Sequence, residues 1–554
     1  MFPAALHDAV RTALAAAHAA GDIPDLSGLA FVVERPRDRA HGDWAANAAL
    51  VAARQAGKPP RAVAEAIVRH LPEIPHVAGV EVAGPGFVNI TLADSWYREV
   101  LRTAALGGPD HARSDAGAGE RIQVEFVSSN PNGPLHIGHA RGGVIGDVLC
   151  RLLDYVGHPV SREYYYNDAG VQIDRYAASL EARYLQALGR EAEFPEDGYP
   201  GQYAIDWGRE LAAEVGDEWA RLERAERLGR IRRWGLDRAM RDIEETLEMA
   251  RIPFDVWFSE TTVHERGEVA AAITDLEQRG YVYRKDEAVW FRTTDFGDEK
   301  DRVVIKSGGE PTYLAPDIAY HRDKFRRGFD RLINVWGADH HGYIPRMKAA
   351  VAALGYDPDA LEIIITQMVN LTRAGEPVRM SMRAGEFVTF REVLEEVGTD
   401  ATRYFLAAVG PDSTINFDLE KAKERSMDNP VYYLQYAHAR VASLEQFAAD
   451  AGVVRAPIDR VDLGLLTDPA EAELLKQMDR LGEEVREAAA RRAPHRLTAY
   501  GQDLAGAFHK FYTDCRVVTD DPGLTQARLW LVEGARSVLL AVLGLLGLSA
   551  PDRM

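Results

Sequence analysis

The spacing of apolar and polar residues divides the 554-residue chain into regions of different character. Residues 1–106 mix helical periods with two alternating strand patterns, residues 80–91, joined by a Gly/Pro turn. Residues 121–427 place short apolar strands between helices, which predicts an α/β domain. From residue 428 to residue 554 the period is helical throughout, which predicts an α-helical bundle. Residues 107–120, rich in small and polar residues, are predicted to be a linker.

A strand, a Pro/Gly-rich turn and a helix follow one another at the start of the α/β region. Residues 121–127 alternate and are rich in branched and aromatic side chains, and apolar residues recur at helical spacing over residues 137–152. Such a turn directs free backbone N–H groups and the positive end of a helix dipole above the strand end, which favours phosphate. His136 and His139 lie one turn apart and can donate to one phosphate, and Gly138 allows close approach of a ligand.

Composition and charge narrow the class of protein. The formal net charge of −20 argues against sequence-independent binding to nucleic acid. It does not exclude binding of tRNA through local basic patches. Cys150 and Cys515 lie in apolar helical contexts without zinc spacing, so two reduced core thiols are expected. The chain begins without a signal-peptide pattern, and the apolar residues 537–548 are too few to span a bilayer. A cytoplasmic protein with no membrane partner is expected.

The stretch Glu125–Arg141, with His136-Ile137-Gly138-His139 at its centre, resembles the HIGH signature of class I aminoacyl-tRNA synthetases. Other segments resemble the arginyl-tRNA synthetases in particular. Residues 312–321 resemble the arginine-pocket segment, residues 34–47 and 83–90 resemble the additional N-terminal domain, and the chain from residue 428 to its end resembles the anticodon-binding domain.

The resemblance implies a multidomain α/β protein. Its parts are an N-terminal α+β domain (1–106) that contacts the D-loop corner of tRNA, a Rossmann-type catalytic domain (121–427) split by a helical insertion (177–290), and an all-α anticodon-binding bundle (428–554). The implied reaction is ATP-dependent activation of L-arginine to arginyl-adenylate, followed by transfer to the 3′-terminal ribose of tRNA(Arg). Mg²⁺ is expected with ATP, no structural metal is expected, and the protein is expected to be a monomer.

The resemblance also assigns ligands to individual residues. ATP is expected at Asn132, Gly133, Pro134, His136, Gly138, His139, Asp339, Met380 and Ser381. Arginine is expected at Glu125, Ser128, Asn130, His139, Tyr313, Asp317 and His341. The residues expected to contact tRNA are Phe87, Asn89, Tyr432, Tyr436, Arg440 and Met554. Catalytic roles at the phosphates are expected for His136, His139, Arg379 and Arg383.

The chemistry of these side chains supports part of the assignment. A carboxylate at Asp317, four residues after Tyr313, suits a guanidinium, which needs a two-oxygen acceptor and a flat neighbour. A capping Asp and a core Tyr are the alternative. Glu125 on a buried strand requires a cationic partner, which the substrate is expected to supply.

The second class I signature departs from the family pattern. The loop Arg379–Val388 carries Met382 where the family has the lysine that stabilises pyrophosphate, and the alternative lysine position before the HIGH segment holds Gly133. Since the transferring phosphates still need a cation, Arg379 or Arg383 is expected to supply it, together with Mg²⁺.

Three alternatives are open at this stage. The basic run over residues 221–233 contains interleaved glutamates, which favours a salt-bridged solvated helix over contact with the tRNA acceptor stem. Another class I synthetase is a rival identity, but the cysteinyl kind requires zinc-spaced cysteines and the acidic Asp317 disfavours an acidic amino acid. A tRNA-binding relative without catalysis is a second rival, supported only by the missing lysine.

Overall fold

The structure is a computed structural model that describes residues 2–36, 38–378 and 388–554. The predictions for Arg379, Met380, Ser381, Met382 and Arg383 therefore lie outside the described residues. The chain forms two compact units. The first contains residues 1–108, 448–479 and 510–535, and the second contains residues 109–447, 480–509 and 536–554.

The helices and strands follow the predicted order closely. The helices are α1 (Phe2–Ala19), α2 (Ala48–Ala56), α3 (Pro60–Arg69), α4 (Asp94–Gly107), α5 (Ile137–Tyr155), α6 (Val171–Ala187), α7 (Gln202–Val215), α8 (Arg224–Met249), α9 (Glu260–Glu265), α10 (Glu268–Gln278), α11 (Leu314–Arg326), α12 (Ile344–Ala353), α13 (Phe390–Val397), α14 (Thr399–Ala407), α15 (Leu419–Lys423), α16 (Pro430–Asp450), α17 (Pro469–Asp479), α18 (Leu481–Ala490), α19 (His495–Asp514) and α20 (Pro522–Leu546). The strands are β1 (Val33–Glu34), β2 (Trp44–Ala46), β3 (Val77–Ala83), β4 (Phe87–Leu92), β5 (Ile122–Glu125), β6 (Val160–Tyr166), β7 (Val256–Ser259), β8 (Val282–Lys285), β9 (Ala288–Phe291), β10 (Arg302–Ile305), β11 (Arg331–Gly337), β12 (Leu361–Thr366), β13 (Val369–Arg373), β14 (Glu376–Pro377) and β15 (Ile415–Asp418).

A five-stranded parallel sheet forms the centre of the second unit, in the order β12-β11-β5-β6-β7. Strand β5 lies in the middle and is buried over its whole length, because helices cover both faces of a parallel sheet of this kind. The carboxyl ends of β5, β6 and β11 therefore meet at one edge. In open α/β sheets this edge is the ligand-binding crevice, and the predicted phosphate turn leaves β5 here.

The segment between β6 and β11 contains more than the predicted helical insertion. Residues 177–290, expected as an insertion, contribute β7 to the parallel sheet as well as the helical cluster of α6, α7 and α8. The short strands near residues 289–306 belong to a separate antiparallel sheet, β10-β9-β8, and not to the parallel sheet. Chain order alone cannot distinguish these sheets, since an apolar run of four residues fits either.

The first unit contains an antiparallel sheet in the order β1-β2-β4-β3. Helices α1, α2 and α3 pack an apolar core against this sheet. The Asp43 carboxylate accepts hydrogen bonds from the Leu92 backbone N–H (2.8 Å) and the Tyr97 hydroxyl (2.7 Å), so Asp43 holds β4 to the start of α4. The predicted α+β module is confirmed, and α4 extends through Gly107 into the segment expected to be a linker.

The C-terminal region is helical, as its period predicts. Among the described residues, α20 is the one helix that is long and apolar enough to cross a membrane by length and composition. However, 72% of its most apolar window is buried, and the core helix of a soluble protein passes the same test.

Candidate active site

The turn after β5 has an unusual backbone. Val127 (φ 69°) and Ser128 (φ 43°) both adopt left-handed conformations, which are costly for a branched side chain and occur mostly where the surroundings impose them. The Ser128 hydroxyl donates to Glu125 Oε1 (3.0 Å) and accepts from the Tyr165 N–H (3.2 Å). Asn130 accepts from the Asn167 N–H (3.0 Å). These bonds tie the turn to the end of β6, so the strained backbone is held before any ligand binds.

The two signature histidines pack together at the start of α5. Their rings are stacked with centroids 3.8 Å apart, and His136 is the N-cap of the helix, its Nδ1 accepting from the Gly138 N–H (3.0 Å). A Cβ at Gly138 would lie 2.7 Å from the His136 ring. The structure therefore explains Gly138 by the packing of His136, whereas the sequence suggested close approach of a ligand.

Burial keeps both rings neutral. It lowers the pKa of His136 and lowers that of His139 to about 3, with the neighbouring ring a further cause for His139. Because Nδ1 of His136 is an acceptor, its other nitrogen carries the proton and can donate. Nδ1 of His139 has no hydrogen-bond partner among the residues that the structure describes. The pair can thus offer N–H donors to a phosphate but does not itself bring positive charge.

Asp317 lies in an acidic, partly buried pocket at the same edge. Tyr343 donates a 2.6 Å hydrogen bond to Asp317 Oδ2, and the Tyr165 hydroxyl donates to Glu260 (2.7 Å). Burial raises the pKa of Asp317 to about 7; the Tyr343 hydrogen bond opposes this, and the charges of Glu260 and Glu125 add to it. An anionic pocket with hydroxyl neighbours suits a guanidinium. Glu260 and Tyr343 were missed from the sequence, because neither stands in a recognisable motif.

Glu125 has a cationic partner within the chain. Lys324, fully buried on α11, donates to Glu125 Oε2 (2.5 Å) and Asn334 Oδ1 (3.2 Å), and its ammonium lies 4.3 Å from the centre of the Tyr320 ring. The expectation that the substrate alone supplies this cation is therefore corrected. The carboxylate is compensated before arginine arrives, and substrate can add only to an existing pair.

The same network reaches Asp317 through His321. Because Asn334 Oδ1 accepts from Lys324, the Asn334 amide nitrogen donates to His321 Nε2 (2.9 Å). His321 Nδ1–H then donates to the Asp317 backbone carbonyl (2.9 Å). Burial lowers the pKa of His321 to about 3, which keeps this arrangement neutral. A chain of hydrogen bonds therefore joins the Glu125 carboxylate to the backbone of Asp317.

The remaining predicted ligands at this edge are more open. Tyr313 caps α11 and its side chain is 80% exposed, and Asp339 and His341 are exposed in the 3₁₀ segment Ala338–Tyr343 after β11. The charge of Asp339 raises the pKa of His136, against the larger effect of burial. Asp339 and His341 follow β11, the parallel neighbour of β5, and their roles as ligands stay predictions.

Arg141, five residues beyond His136, is a buried arginine that forms no ion pair with a carboxylate of the residues that the structure describes. Its guanidinium donates to the backbone carbonyls of Gln367 and Gly410, both at 2.7 Å. These carbonyls flank the sheet β14-β13-β15, and the second signature loop follows β14. Arg141 thus ties helix α5 to the residues that lead into β13 and β15.

Comparison with known proteins finds matches in each of the three regions of the chain. Family models match residues 4–92 (arginyl tRNA synthetase N terminal domain), 104–412 (tRNA synthetases class I (R), catalytic domain) and 434–554 (DALR anticodon binding domain). An arginine–tRNA ligase of Moorella thermoacetica is 52% identical over 555 aligned residues, covering 100% of this chain and 98% of the relative. One of Geobacillus kaustophilus is 50% identical, covering 99% and 97%.

The chain belongs to the arginyl-tRNA synthetases. Among solved structures, the Thermus thermophilus arginyl-tRNA synthetase superposes with a TM-score of 0.76 at 25% identity over all of both chains. A putative arginyl-tRNA synthetase of Campylobacter jejuni gives 0.76 at 36% identity and covers 84% of this chain and 100% of its own. The family is a class I ligase family that attaches arginine to tRNA with the use of ATP, which confirms the predicted fold class and activity.

Three of the residues expected to contact tRNA in this arginyl-tRNA synthetase share one face of α16. Tyr432 and Tyr436 stack with ring centroids 5.7 Å apart, and Arg440 lies 4.5 Å above the Tyr436 ring. A half-buried ladder of two phenols and a guanidinium is a suitable platform for bases and phosphates. Its role toward tRNA stays a prediction.

The other expected tRNA contacts are less uniform. Phe87 is half-buried, but Asn89 is only 3% exposed and its amide nitrogen has no partner among the described residues, so the structure does not favour Asn89 as a contact. Met554 is 46% exposed beyond a tail held at Ser549 by Asp400 (2.9 Å).

The basic run over residues 221–233, which begins in a 3₁₀ turn and continues on α8, forms salt bridges. Arg221, Arg227 and Arg230 each have a carboxylate oxygen within 2.8 Å. The free cysteines Cys150 and Cys515 are both buried, as predicted. In residues 2–36, 38–378 and 388–554, no group of three or more His, Cys, Asp or Glu side chains is arranged to hold a metal ion.

Proposed function

We propose that this arginyl-tRNA synthetase activates arginine at the edge where β5, β6 and β11 end. In this proposal the stacked His136 and His139 at the start of α5 bind ATP phosphates. The pocket of Asp317, Glu260 and Tyr343 binds the guanidinium. The observation that carries the proposal is that a phosphate-type helix start and an anionic pocket share one sheet edge.

The proposed reaction has two displacements. A carboxylate oxygen of arginine attacks the α-phosphorus of Mg-ATP, and the bond from that phosphorus to the bridging oxygen breaks to release pyrophosphate. A hydroxyl of the terminal tRNA ribose then attacks the carbonyl carbon, the bond to AMP breaks, and the hydroxyl proton leaves with the phosphate. Positioning and electrostatic stabilisation account for such catalysis without a protein nucleophile.

Because the histidines are neutral, their proposed role at the phosphates differs from the one that the sequence suggested. They donate hydrogen bonds to the phosphates. The negative charge that develops on the phosphates is stabilised by Mg²⁺, which enters with ATP, and by Arg379 or Arg383. Asn132, Gly133 and Pro134 form the turn around the phosphates. Tyr313 and His341 are proposed to close the arginine site from its exposed side.

Replacing His139 by alanine tests the ATP assignment. With tRNA(Arg) present, arginine-dependent ATP–pyrophosphate exchange should slow by about 100-fold or more, chiefly in kcat, because donors to a transferring phosphate act in the transition state. His158→Ala, beyond the other end of α5, is the matched control and should retain the rate within about threefold. Near-normal activation by the His139 variant removes the motif from the mechanism.

We also propose that the enzyme works as a cytoplasmic monomer without a membrane partner. The net charge of −20 and the burial of α20 support this proposal. Light scattering on the purified protein, alone and with tRNA, measures the mass of each species. A stable mass of about twice the 61.3 kDa chain without tRNA contradicts the monomer.

A further inference from the structure

The turn that precedes the HIGH segment is held by two tyrosines of the helical insertion. The Tyr203 hydroxyl donates to the Asn132 backbone carbonyl (2.9 Å), and the Asn132 side-chain nitrogen donates to the Tyr199 hydroxyl (3.1 Å). One residue of the turn is therefore bound at its backbone and at its side chain by groups about 70 positions away in the chain.

Tyr203 also determines which residue fits next to Asn132. A Cβ at Gly133 would lie 2.9 Å from both Cζ and Oη of Tyr203, closer than real Cβ contacts. The φ of Gly133 lies outside the left-handed region, so its backbone conformation is open to any residue. Gly133 is required here by space, and the ring of Tyr203 occupies that space.

The two tyrosines are themselves fixed in the core of the insertion. The Tyr199 N–H donates to Ser179 Oγ (2.9 Å), and the Tyr203 ring packs edge-on against Trp207 with centroids 5.0 Å apart. Trp207 belongs to the buried cluster that joins α6, α7 and α8. The contact is therefore continuous from the helical cluster to the phosphate turn, and neither tyrosine can move without disturbing that core.

We propose that Tyr199 and Tyr203 are positioning residues that hold the ATP-binding turn in its working geometry, and that Tyr203 and Gly133 act as one steric pair. The inference rests on the proposed role of this turn in ATP binding. A backbone that is already ordered needs no reorganisation when phosphate charge develops, so its N–H donors are worth more in the transition state.

Removing one hydroxyl tests the positioning role. Tyr203→Phe keeps the ring and its packing, so folding should persist while kcat for arginine-dependent pyrophosphate exchange falls about three- to tenfold, the value of one hydrogen bond. The KM for arginine should stay unchanged, since the turn contacts ATP. The control is Tyr184→Phe, which removes a hydroxyl that donates to the Gly216 carbonyl (2.8 Å) in the same helical cluster.

A double-mutant cycle tests the steric pair. Gly133→Ala should slow activation about tenfold or more in the parent enzyme, but by no more than about twofold in a Tyr203→Ala background, where the ring no longer occupies the space. Thermal unfolding midpoints of the same four proteins measure the coupling independently of activity. Equal effects of Gly133→Ala in both backgrounds, in rate and in midpoint, would overturn the steric pair.

The outcomes separate this inference from the proposed ATP site. If Tyr203→Phe behaves like Tyr184→Phe in kcat, the positioning role is wrong even when His139→Ala abolishes activation. If His139→Ala is active while the Gly133 and Tyr203 substitutions remain coupled in thermal stability, the ATP assignment fails and the steric pair stands.

Discussion

We predict that arginine binding is sensitive to pH near neutrality, because Asp317, the proposed partner of the guanidinium, has a raised pKa. Burial raises the pKa of this carboxyl from 3.8 to about 7, with Glu260 and Glu125 adding to the shift. The guanidinium of arginine stays protonated throughout this range and binds the ionised carboxylate. Below about pH 7, part of the binding free energy must therefore be spent on removing a proton from Asp317.

The size of the effect follows from the titration. With a pKa of about 7, roughly nine-tenths of Asp317 is ionised at pH 8 and roughly one-tenth at pH 6. The KM for arginine should therefore be about tenfold higher at pH 6 than at pH 8. The free energy of unfolding depends on pH in the opposite direction. Because the native state binds this proton more tightly than the unfolded chain does, the contribution of Asp317 to stability decreases as the pH rises from 3.8 to about 7.

Steady-state pyrophosphate exchange at several pH values, with tRNA present, measures this dependence. Asp317→Asn should raise the KM for arginine and remove its pH dependence. Tyr343→Phe deletes the hydrogen bond that favours the ionised form, so it should move the dependence to higher pH. Asp323→Asn on the same helix is the control, because that carboxylate pairs with Arg327 at 2.8 Å. A KM for arginine that is constant from pH 6 to pH 8 in the parent enzyme would show that ionisation of Asp317 does not control arginine binding.

Three further perturbations test other parts of the site. Lys324→Met leaves the buried carboxylate of Glu125 uncompensated and should cost about 3–5 kcal/mol of unfolding free energy, measured by urea denaturation. Adding Glu125→Gln should recover stability, and no recovery contradicts the ion pair of Lys324 with Glu125. Arg141→Met removes the guanidinium donor from the Gln367 and Gly410 carbonyls, of which Gly410 keeps a bond from the Ser413 N–H (3.1 Å), and should cost about 1–3 kcal/mol with slower activation; unchanged stability argues against the tie. Arg383→Ala should slow adenylate formation far more than it weakens arginine binding, and equal effects on both in single-turnover assays count against its role at the phosphates.

Features that depend on neighbours in the chain could be predicted from the sequence. Strand β5, the turn and helix α5 were expected because period-2 and helical apolar patterns flank a Pro/Gly segment. The predicted end of the strand was too late, since Val127 turns to a left-handed conformation that tertiary contacts impose.

Partners across the fold were decided by tertiary structure alone. Lys324 and Glu125 stand on different elements, and only the packing of α11 against β5 places the ammonium 2.5 Å from the carboxylate. Glu260 joins Asp317, and Tyr203 covers Gly133, for the same kind of reason. Periodicity and turn chemistry are local, so the sequence determined the elements, the sheet edge and the family. The protonation of a buried carboxyl and the space beside a glycine depend on atoms that are far away in the chain, and those were settled only when the elements packed.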